Sequence, residues 1–379
     1  MQGPPIKERA ARFWDRVTEG MQVSELWNQF RADAQSSYRL YSRDVDTTRD
    51  ADVRRGRHVL QLARQFFWAI LEKLTPARRI LLLLALVLIT MGAFQWSWSS
   101  GPGEMSAFSI DARFWGAILL LALFIMEVGD RVVMKRDLQI AKEIQAWLLP
   151  SEPPAIAGLE IAFTTRPANT VAGDYYDVFA RPGCTPENVT FLMAIADVAG
   201  KSVPAAMLMA TFQASLKTLS STPGTLTELV SRINRYACSN SQNGRRFTTA
   251  VVAEYDSRSR KLTYVNAGHN LPILLRRNGS VERLDVGGVP IGVMDNAPYS
   301  AGEVTLEAGD WLVFFTDGVV EAENNQQQEY GEDRFLTMLR WGAAMPPALL
   351  LQHILADIDR FEANAPQHDD ITCMLLRAV

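Results

Sequence analysis

The sequence has few of the side chains that build zinc sites and disulfides. Its 379 residues include three cysteines and four histidines, and none of them has zinc-binding spacing. Cys184, Cys238 and Cys373 show no pairing pattern, which indicates ordinary thiols of a reducing compartment, packed in the interior. A metal site in this chain would therefore depend on oxygen ligands, the kind that Mg²⁺ and Mn²⁺ prefer.

The sequence also lacks an excess of positive charge. Its formal net charge is −4, whereas a nucleic-acid-binding protein usually carries a strongly basic face, so we expect no nucleic-acid partner. Residues 1–19 contain no apolar core, so we expect no cleavable signal. No internal repeat or low-complexity tract is present, and the length allows one or two domains with additional segments.

Two apolar stretches stand out, at residues 80–98 and 114–126. The first is long enough to cross about 30 Å of hydrocarbon, and its two tryptophans fit an interfacial belt. The second would span only if the flanking Arg113 and Arg131 reach the interfaces. A buried soluble helix or a re-entrant segment is the alternative, but the pattern favours a transmembrane hairpin over residues 79–130.

The flanking charges predict an orientation for this hairpin. Arginines or lysines adjoin the outer ends of both apolar stretches, whereas residues 99–112 contain neither. The positive-inside rule therefore places both termini in the cytoplasm. We expect a multi-pass protein of the cell membrane whose C-terminal domain is cytoplasmic.

Two segments flank the predicted hairpin. Residues 1–78 have helical spacing of apolar residues and form a predicted cytoplasmic region of unknown role. Its Arg-rich patch at 54–57 fits either contact with anionic lipid or a solvated loop. Residues 131–154 are predicted as a stalk helix that ends at Pro150, followed by a linker at 151–154. Its coiled-coil spacing fits either a dimerisation stalk, giving a homodimer, or a helix packed on its own domain; the seam positions are Met134, Leu138, Ala141, Gln145 and Leu148.

Residues 155–379 have a sequence pattern typical of a separate α+β domain. Short strand-like runs alternate with turns, and a few helical runs are grouped between them, which argues against βαβ repeats. The predicted strands are 159–163, 189–196, 247–255, 261–265, 271–275, 303–306, 311–315 and 371–376. The predicted helices are 204–219, 225–236 and 347–361.

Four aspartates lie at the edges of these strand-like runs: Asp174, Asp197, Asp317 and Asp369. Side chains at strand ends are held rigidly, so carboxylates there can converge at little entropic cost. Adjacent glycines allow close approach of the backbone. A single such aspartate is more typical of a turn. Four in one domain predict a site for hard divalent ions and hydrolysis by water held on a pair of them.

Several motifs follow one another in a fixed order along the C-terminal part of the chain. They are GDYYD at 173–177, DVAGKSVPAAMLMA at 197–210, NAGHN at 266–270, GVPIG at 288–292, FTDGV at 315–319 with Glu321 and Ala322, and DDIT at 369–372. Together they resemble one protein family, the SpoIIE/RsbU branch of the PPM (type 2C) metal-dependent serine/threonine phosphatases. The similarity runs from about residue 140 to the C-terminus. The sequence IQAWLLP at 144–150 resembles the helix that leads into these domains.

This resemblance implies two central antiparallel β-sheets flanked by α-helices, with two Mn²⁺ or Mg²⁺ ions at one edge. It implies that Asp197 bridges both metals and that Asp317 and Asp369 complete one site. It also implies that Asp174 holds the other metal, directly or through water, and that the Val198 carbonyl adds a ligand there. A metal-bridging hydroxide would then attack the phosphorus. The implied substrate is a phosphoserine or phosphothreonine of a cytoplasmic regulator, an anti-sigma-factor antagonist of the STAS type.

Some positions depart from the family pattern. Ala172 stands where Gly is frequent, and Ala199 and Ser202 replace a frequent Ser and Gly. Eukaryotic relatives have a histidine at the position of Ala199, so a protein general acid is missing there and water would serve. A catalytically silent binding module with the same fold is the alternative function, but the presence of all four aspartates disfavours it. An enzyme acting on a different phosphorylated target is also compatible with the sequence.

Other polar residues near the motifs have less specific interpretations. Asp177 and Asp370 are candidates for hydrogen bonding around the ligands, although Asp177 also fits a plain turn residue. His269 fits a turn-fixing or core residue better than a ligand, and His368 a solvated loop residue. Arg166 would suit a phosphate, but its spacing does not match the phosphate-binding arginine of the family.

Overall fold

The computed structural model describes residues 68, 71, 74–91, 93–99, 105–182, 189–240, 246–363 and 365–379. The chain divides into two compact units, residues 1–131 and 132–379. The helical pattern and the Arg-rich patch predicted before residue 68 lie outside the described residues, as does Cys184.

In the first unit, helix α1 (Pro76–Met91) is followed by a β-hairpin. The hairpin strands β1 (Ala93–Ser99) and β2 (Met105–Asp111) pair antiparallel. Helix α2 (Ala112–Leu148) begins directly after β2. A Cβ added at Gly116 would lie 2.9 Å from the Ala85 carbonyl oxygen, so the absence of a side chain lets α1 and the start of α2 pack closely.

The predicted transmembrane hairpin is not supported. Among the residues that the structure describes, no helix is both long and apolar enough to cross a membrane. Helix α1 has 16 residues, about 24 Å at 1.5 Å per residue, because the chain enters strand β1 where the sequence predicted that the helix would continue. The apolar part of α2 is followed by Glu127, Asp130 and Arg131, of which both acids lie close to Arg78. The membrane location and orientation stay predictions.

The second unit contains the C-terminal part of α2 and a series of short strands and helices. They are β3 (Leu159–Arg166), β4 (Tyr175–Ala180), β5 (Thr190–Val198), α3 (Val203–Leu219), α4 (Leu226–Asn240), β6 (Thr248–Asp256), β7 (Lys261–Ala267), β8 (Ile273–Leu275), β9 (Val281–Arg283), β10 (Gly287–Gly288), β11 (Gly302–Thr305), β12 (Trp311–Phe315), α5 (Asp317–Val320), α6 (Glu332–Trp341), α7 (Pro347–Glu362) and β13 (Ile371–Ala378).

Two sheets form the centre of this unit. The first has the order β10-β7-β6-β5-β4, with β11 also paired to β7, and the second has the order β3-β13-β12-β8-β9. Neighbouring strands are antiparallel except for the short β10–β7 pair. The α+β architecture with two central sheets, predicted from the family resemblance, is confirmed, although β10 makes the first sheet mixed.

Strand periodicity sorts the buried residues into three layers. In β5, Met193 and Ile195 point between the two sheets, whereas the alternate residues point toward α3 and α4. In β12, Leu312 and Phe314 point between the sheets and their neighbours point toward α6 and α7. Each fully buried large apolar side chain contributes about 1.5–3 kcal/mol, so these three layers of buried side chains are the main stabilising feature of the unit.

Local sequence explains where the flanking helices begin. Pro204 lies in the first turn of α3, where its missing N–H costs no hydrogen bond. At the start of α4, the Glu228 N–H donates to Thr225 Oγ1 and the Thr225 N–H donates to the Glu228 carboxylate, which is a capping box. These helices agree with the predicted ones to within a few residues, whereas β4, β9, β10 and α6 were not predicted.

Candidate metal centre

The strand registers bring the predicted aspartates to one edge of the two sheets. Tyr175 of β4 pairs with Ala196 of β5, so Asp174 and Asp197 occupy the next opposed positions. Both continue the set of residues that point between the sheets, because side chains alternate along a strand. The same alternation applied to β12 and β13 directs Thr316 and Thr372 toward this edge, next to Asp317 and Asp369.

Asp174 is held from the second sheet. Its side chain is buried at 2% exposure, and Thr316 Oγ1 donates to Asp174 Oδ2 at 2.9 Å. Thr316 Oγ1 in turn accepts from the Thr372 N–H at 3.1 Å. Burial and the charge of Asp197 raise the pKa of Asp174 well above its ordinary value, and hydrogen bonds from Thr372 and Thr316 oppose this shift. The hydroxyl of Thr316 therefore fixes Asp174 relative to β13.

Asp197 is the centre of the carboxylate cluster. Burial, together with the charges of Asp317, Asp369 and Asp370, raises its pKa to about 7. The carbonyl oxygen of Val198 lies 3.3 Å from the position of a Cβ added at Gly173. A side chain at 173 would therefore crowd the carbonyl that the resemblance assigns as a ligand.

Asp317 and Asp369 approach from the second sheet. Burial and the charge of Asp369 raise the pKa of Asp317, while the Gly318 backbone and Lys201 lower it. A Cβ added at Gly318 would overlap the Asp370 carbonyl oxygen, so only glycine lets this turn approach the loop before β13. Asp369 forms an ion pair with Lys201, with Nζ 2.9 Å from Oδ2.

Asp370 orients the loop that carries Asp174. Its two carboxylate oxygens accept hydrogen bonds from the Ala168 N–H at 2.7 Å and the Gly173 N–H at 2.6 Å. Its role as a hydrogen-bonding residue beside Asp369 agrees with the sequence interpretation. Two backbone N–H groups on one carboxylate hold the loop in a single conformation.

The same loop is held from the other side by Gln145, which the sequence placed on a coiled-coil seam. Gln145 is only 7% exposed. Its Nε2 donates to the Ala172 carbonyl at 2.7 Å, and its Oε1 accepts from the Ala172 N–H at 2.9 Å. The amide thus replaces a strand partner for Ala172, so this position serves packing within the second unit. The sequence signal for this role was a polar residue at one position of an otherwise apolar coiled-coil seam.

Other sequence candidates lie outside the cluster. Asp177 accepts from the Tyr175 hydroxyl at 2.8 Å and pairs with Lys217 at 2.7 Å. Arg166 pairs with Asp359 and Glu362, so its charge is already matched.

The two histidines are not directed at the carboxylates. The His269 Nδ1 atom lies 2.9 Å from Thr249 Oγ1, its backbone N–H donates to Asn266 Oδ1, and burial lowers its pKa to about 4. His368 is exposed, 3.6 Å from Glu323. Their surroundings match the turn-fixing and loop interpretations made from the sequence.

The donor chemistry of the cluster fits a hard divalent cation. The converging groups are carboxylates and a backbone carbonyl. Burial and, after it, mutual repulsion raise the pKa values of Asp174, Asp197 and Asp317, and a bound cation would offset both effects. In the described part of the chain, no three Asp, Glu, His or Cys side chains are arranged to enclose an ion by themselves. The assignment of Asp174, Asp197, Val198, Asp317 and Asp369 as ligands stays a prediction.

Comparison with known proteins gives matches to one family, to curated relatives and to solved structures. The family described as Stage II sporulation protein E (SpoIIE) matches residues 187–379. The phosphoserine phosphatase RsbU of Bacillus subtilis is 26% identical over 252 residues, covering 66% of this chain and 72% of RsbU. Protein IcfG of Synechocystis is 27% identical over 282 residues, covering 66% of this chain. The chain spans 42% of the length of IcfG.

A solved structure supports the fold. The SiaA-PP2C domain of Pseudomonas aeruginosa matches with a TM-score of 0.58 and 22% identity, covering 66% of this chain and 99% of that domain. This similarity is one of fold, that is, of the arrangement of sheets and helices.

Proposed function

The chain belongs to the SpoIIE family, and we propose that it is a metal-dependent protein phosphatase that hydrolyses phosphoserine or phosphothreonine. The observation that carries this proposal is the convergence of Asp174, Asp197, Asp317 and Asp369 from four separate segments at one edge of the two sheets. A structural role alone would not favour such a cluster, because each carboxylate raises the cost of ionising the others.

The carboxylates divide into groups that hold cations and groups that hold the loops. Asp197, Asp317 and Asp369 would hold one Mn²⁺ or Mg²⁺ ion, and Asp197, Asp174 and the Val198 carbonyl would hold a second. When bound, such ions supply a water-derived nucleophile at neutral pH and offset charge on the phosphoryl oxygens.

The surrounding residues keep these donors in place. Thr316 orients Asp174, and Asp370 fixes the loop before it through two backbone N–H groups. Ala199 has no proton to donate, so the leaving serine or threonine oxygen takes its proton from solvent.

One relative and the sequence motifs support a proposal for the substrate class. RsbU is described as a phosphoserine phosphatase, which supports a phosphorylated regulatory protein, and the motif resemblance favours an anti-sigma-factor antagonist of the STAS type. We also propose a homodimer through the other seam positions of the segment before residue 150, since Gln145 contacts Ala172 of its own chain. The alternative function is a catalytically silent module, which the presence of all four aspartates disfavours.

The test is phosphate release by the purified full-length chain from a phosphorylated STAS-type protein and from unrelated phosphoproteins, with Mn²⁺, Mg²⁺ or a chelator. We expect Asp197→Ala and Asp317→Ala each to abolish metal-dependent release. Asp177→Asn is the matched control, because it removes the charge of an aspartate that is buried against Lys217 outside the cluster.

Unfolding can be separated from loss of chemistry. Because the pKa of Asp197 is raised to about 7, its charge costs folding stability near and above neutral pH. Asp197→Ala should therefore melt no lower than the wild type in chelator. Near wild-type turnover of either alanine variant at saturating Mn²⁺ would contradict the metal assignment, and absence of turnover on every phosphoprotein would favour the silent module.

A further inference from the structure

Lys201 connects two of the segments that carry predicted metal ligands, the one after Asp197 and the one that contains Asp369. It lies four residues after Asp197, in the turn between β5 and α3. Its Nζ is 2.9 Å from Asp369 Oδ2 and donates to the His368 carbonyl at 2.7 Å. A single ammonium group therefore contacts both the side chain of one predicted ligand and the backbone beside it.

The backbone around Lys201 has an unusual conformation. Gly200 has φ 122° and Ser202 has φ 64° with ψ −146°. A non-glycine residue seldom adopts this region, because its Cβ crowds the backbone. The turn therefore has a specific shape that directs Lys201 toward Asp369, and Ser202 maintains it at a cost.

The charge of Lys201 is isolated among acids. It lines a cleft of about 230 Å³ beside the carboxylate cluster. The acids around this cleft are Glu321, Glu323, Glu329, Glu362 and Asp369. Among the described residues that line it, Lys201 alone carries a permanent positive charge.

We propose that Lys201 is a positioning residue that serves as an internal counter-cation for Asp369, and that a divalent ion must displace its ammonium group to gain that carboxylate. The inference rests on the proposed function for the identity of the ligands. Lys201 would stabilise the metal-free protein and weaken binding of the ion that uses Asp369. The affinity for this ion would thus be set partly by a residue that is not a ligand.

The test measures Mn²⁺ binding to the full-length chain by calorimetry. Lys201→Met keeps the length of the side chain but removes its charge, and Lys201→Arg keeps the charge. The pair is partly exposed, at 58% and 44%, so its effect is modest. We expect Lys201→Met to bind Mn²⁺ about fivefold more tightly and to melt lower than the wild type only in chelator, while Lys201→Arg stays close to the wild type.

Two controls separate this inference from a general charge effect. Lys217→Met removes a lysine that pairs with Asp177 outside the cluster and should leave Mn²⁺ affinity unchanged. Asp369→Asn should weaken binding and should abolish the gain from Lys201→Met, as a double-mutant cycle requires when two residues act through one contact.

The outcomes distinguish this inference from the proposed function. If the wild type binds no Mn²⁺, both are wrong. If the wild type binds Mn²⁺ and Asp369→Asn weakens that binding, but Lys201→Met binds no more tightly than the wild type, the counter-cation role alone is overturned. A gain of affinity that persists in the Asp369→Asn background also overturns it, because the effect would then not pass through Asp369.

Discussion

Thr316→Val tests how the predicted ligand Asp174 is held. Valine has nearly the shape of threonine, so this substitution removes a hydroxyl without opening a large cavity. It deletes the 2.9 Å hydrogen bond to Asp174 Oδ2 and leaves the Thr372 N–H without its 3.1 Å acceptor. Thr316 and Thr372 are both fully buried, so water cannot replace either bond.

The size of the effect follows from these two bonds. A hydrogen bond to a charged group contributes about 1.5–3 kcal/mol, and a buried N–H left unpaired costs about 1–3 kcal/mol. Because burial raises the pKa of Asp174, we take the low end of the first range. We therefore expect a loss of about 3 kcal/mol in the free energy of unfolding, equivalent to about 6–12 °C in melting temperature for a domain of this size.

Thr316→Ser is the matched control. It keeps the hydroxyl and loses one buried methyl group, which costs about 1 kcal/mol. Thermal and urea unfolding of the full-length chain in chelator should rank wild type, Ser and Val in decreasing stability, and calorimetry should show weaker Mn²⁺ binding only for Val. If Val is as stable as Ser and binds Mn²⁺ equally well, the hydroxyl does not hold Asp174 and the reasoning is wrong.

Three further changes test other parts of the second unit. Ser202→Gly should relieve about 1–2 kcal/mol of left-handed strain against about 0.5–1 kcal/mol of added chain entropy, so a slightly higher melting temperature is expected, and a lower one would contradict the strained backbone. Arg334 and other hydrogen-bonding partners lower the pKa of Asp357, so Asp357→Asn should cost about 1–3 kcal/mol at pH 7. This difference in unfolding free energy should shrink as the pH falls below about 3.8, the ordinary pKa of aspartate, and should vanish below the lowered pKa of Asp357 in the folded protein. Urea unfolding measures the difference, and a value that does not change with pH would refute the role of the charge. Leu138→Asp with Leu148→Asp should change phosphatase turnover of the full-length chain without altering a ligand, whereas unchanged turnover with lost dimer cross-linking would leave the helix as a passive tether.

Local sequence determined the elements that bury a continuous apolar run. Strand β12 was predicted with its observed bounds because burial of all its residues requires an uninterrupted apolar run in the sequence. Helix α3 was predicted because its apolar residues recur at helical spacing. Strand β4 was missed because its tyrosines and Asp177 look polar, whereas the structure buries Asp177 against Lys217. Hydropathy alone also could not show that the apolar stretch after residue 80 leaves the helix and enters a strand at Ala93.

The candidate ligands could be named from the sequence because strand ends and adjacent glycines are local signals. The residues that hold these ligands in place could not be predicted, because each of them contacts a residue that is distant in the sequence. Gln145 meets Ala172, Thr316 meets Asp174, and Lys201 meets Asp369. The sequence by itself thus determined the elements with continuous apolar runs, such as β12 and α3, and the chemistry of the carboxylates. The registers of β4–β5 and β12–β13 and the packing of the two sheets decided which carboxylates converge, because those contacts depend on geometry summed over the whole domain.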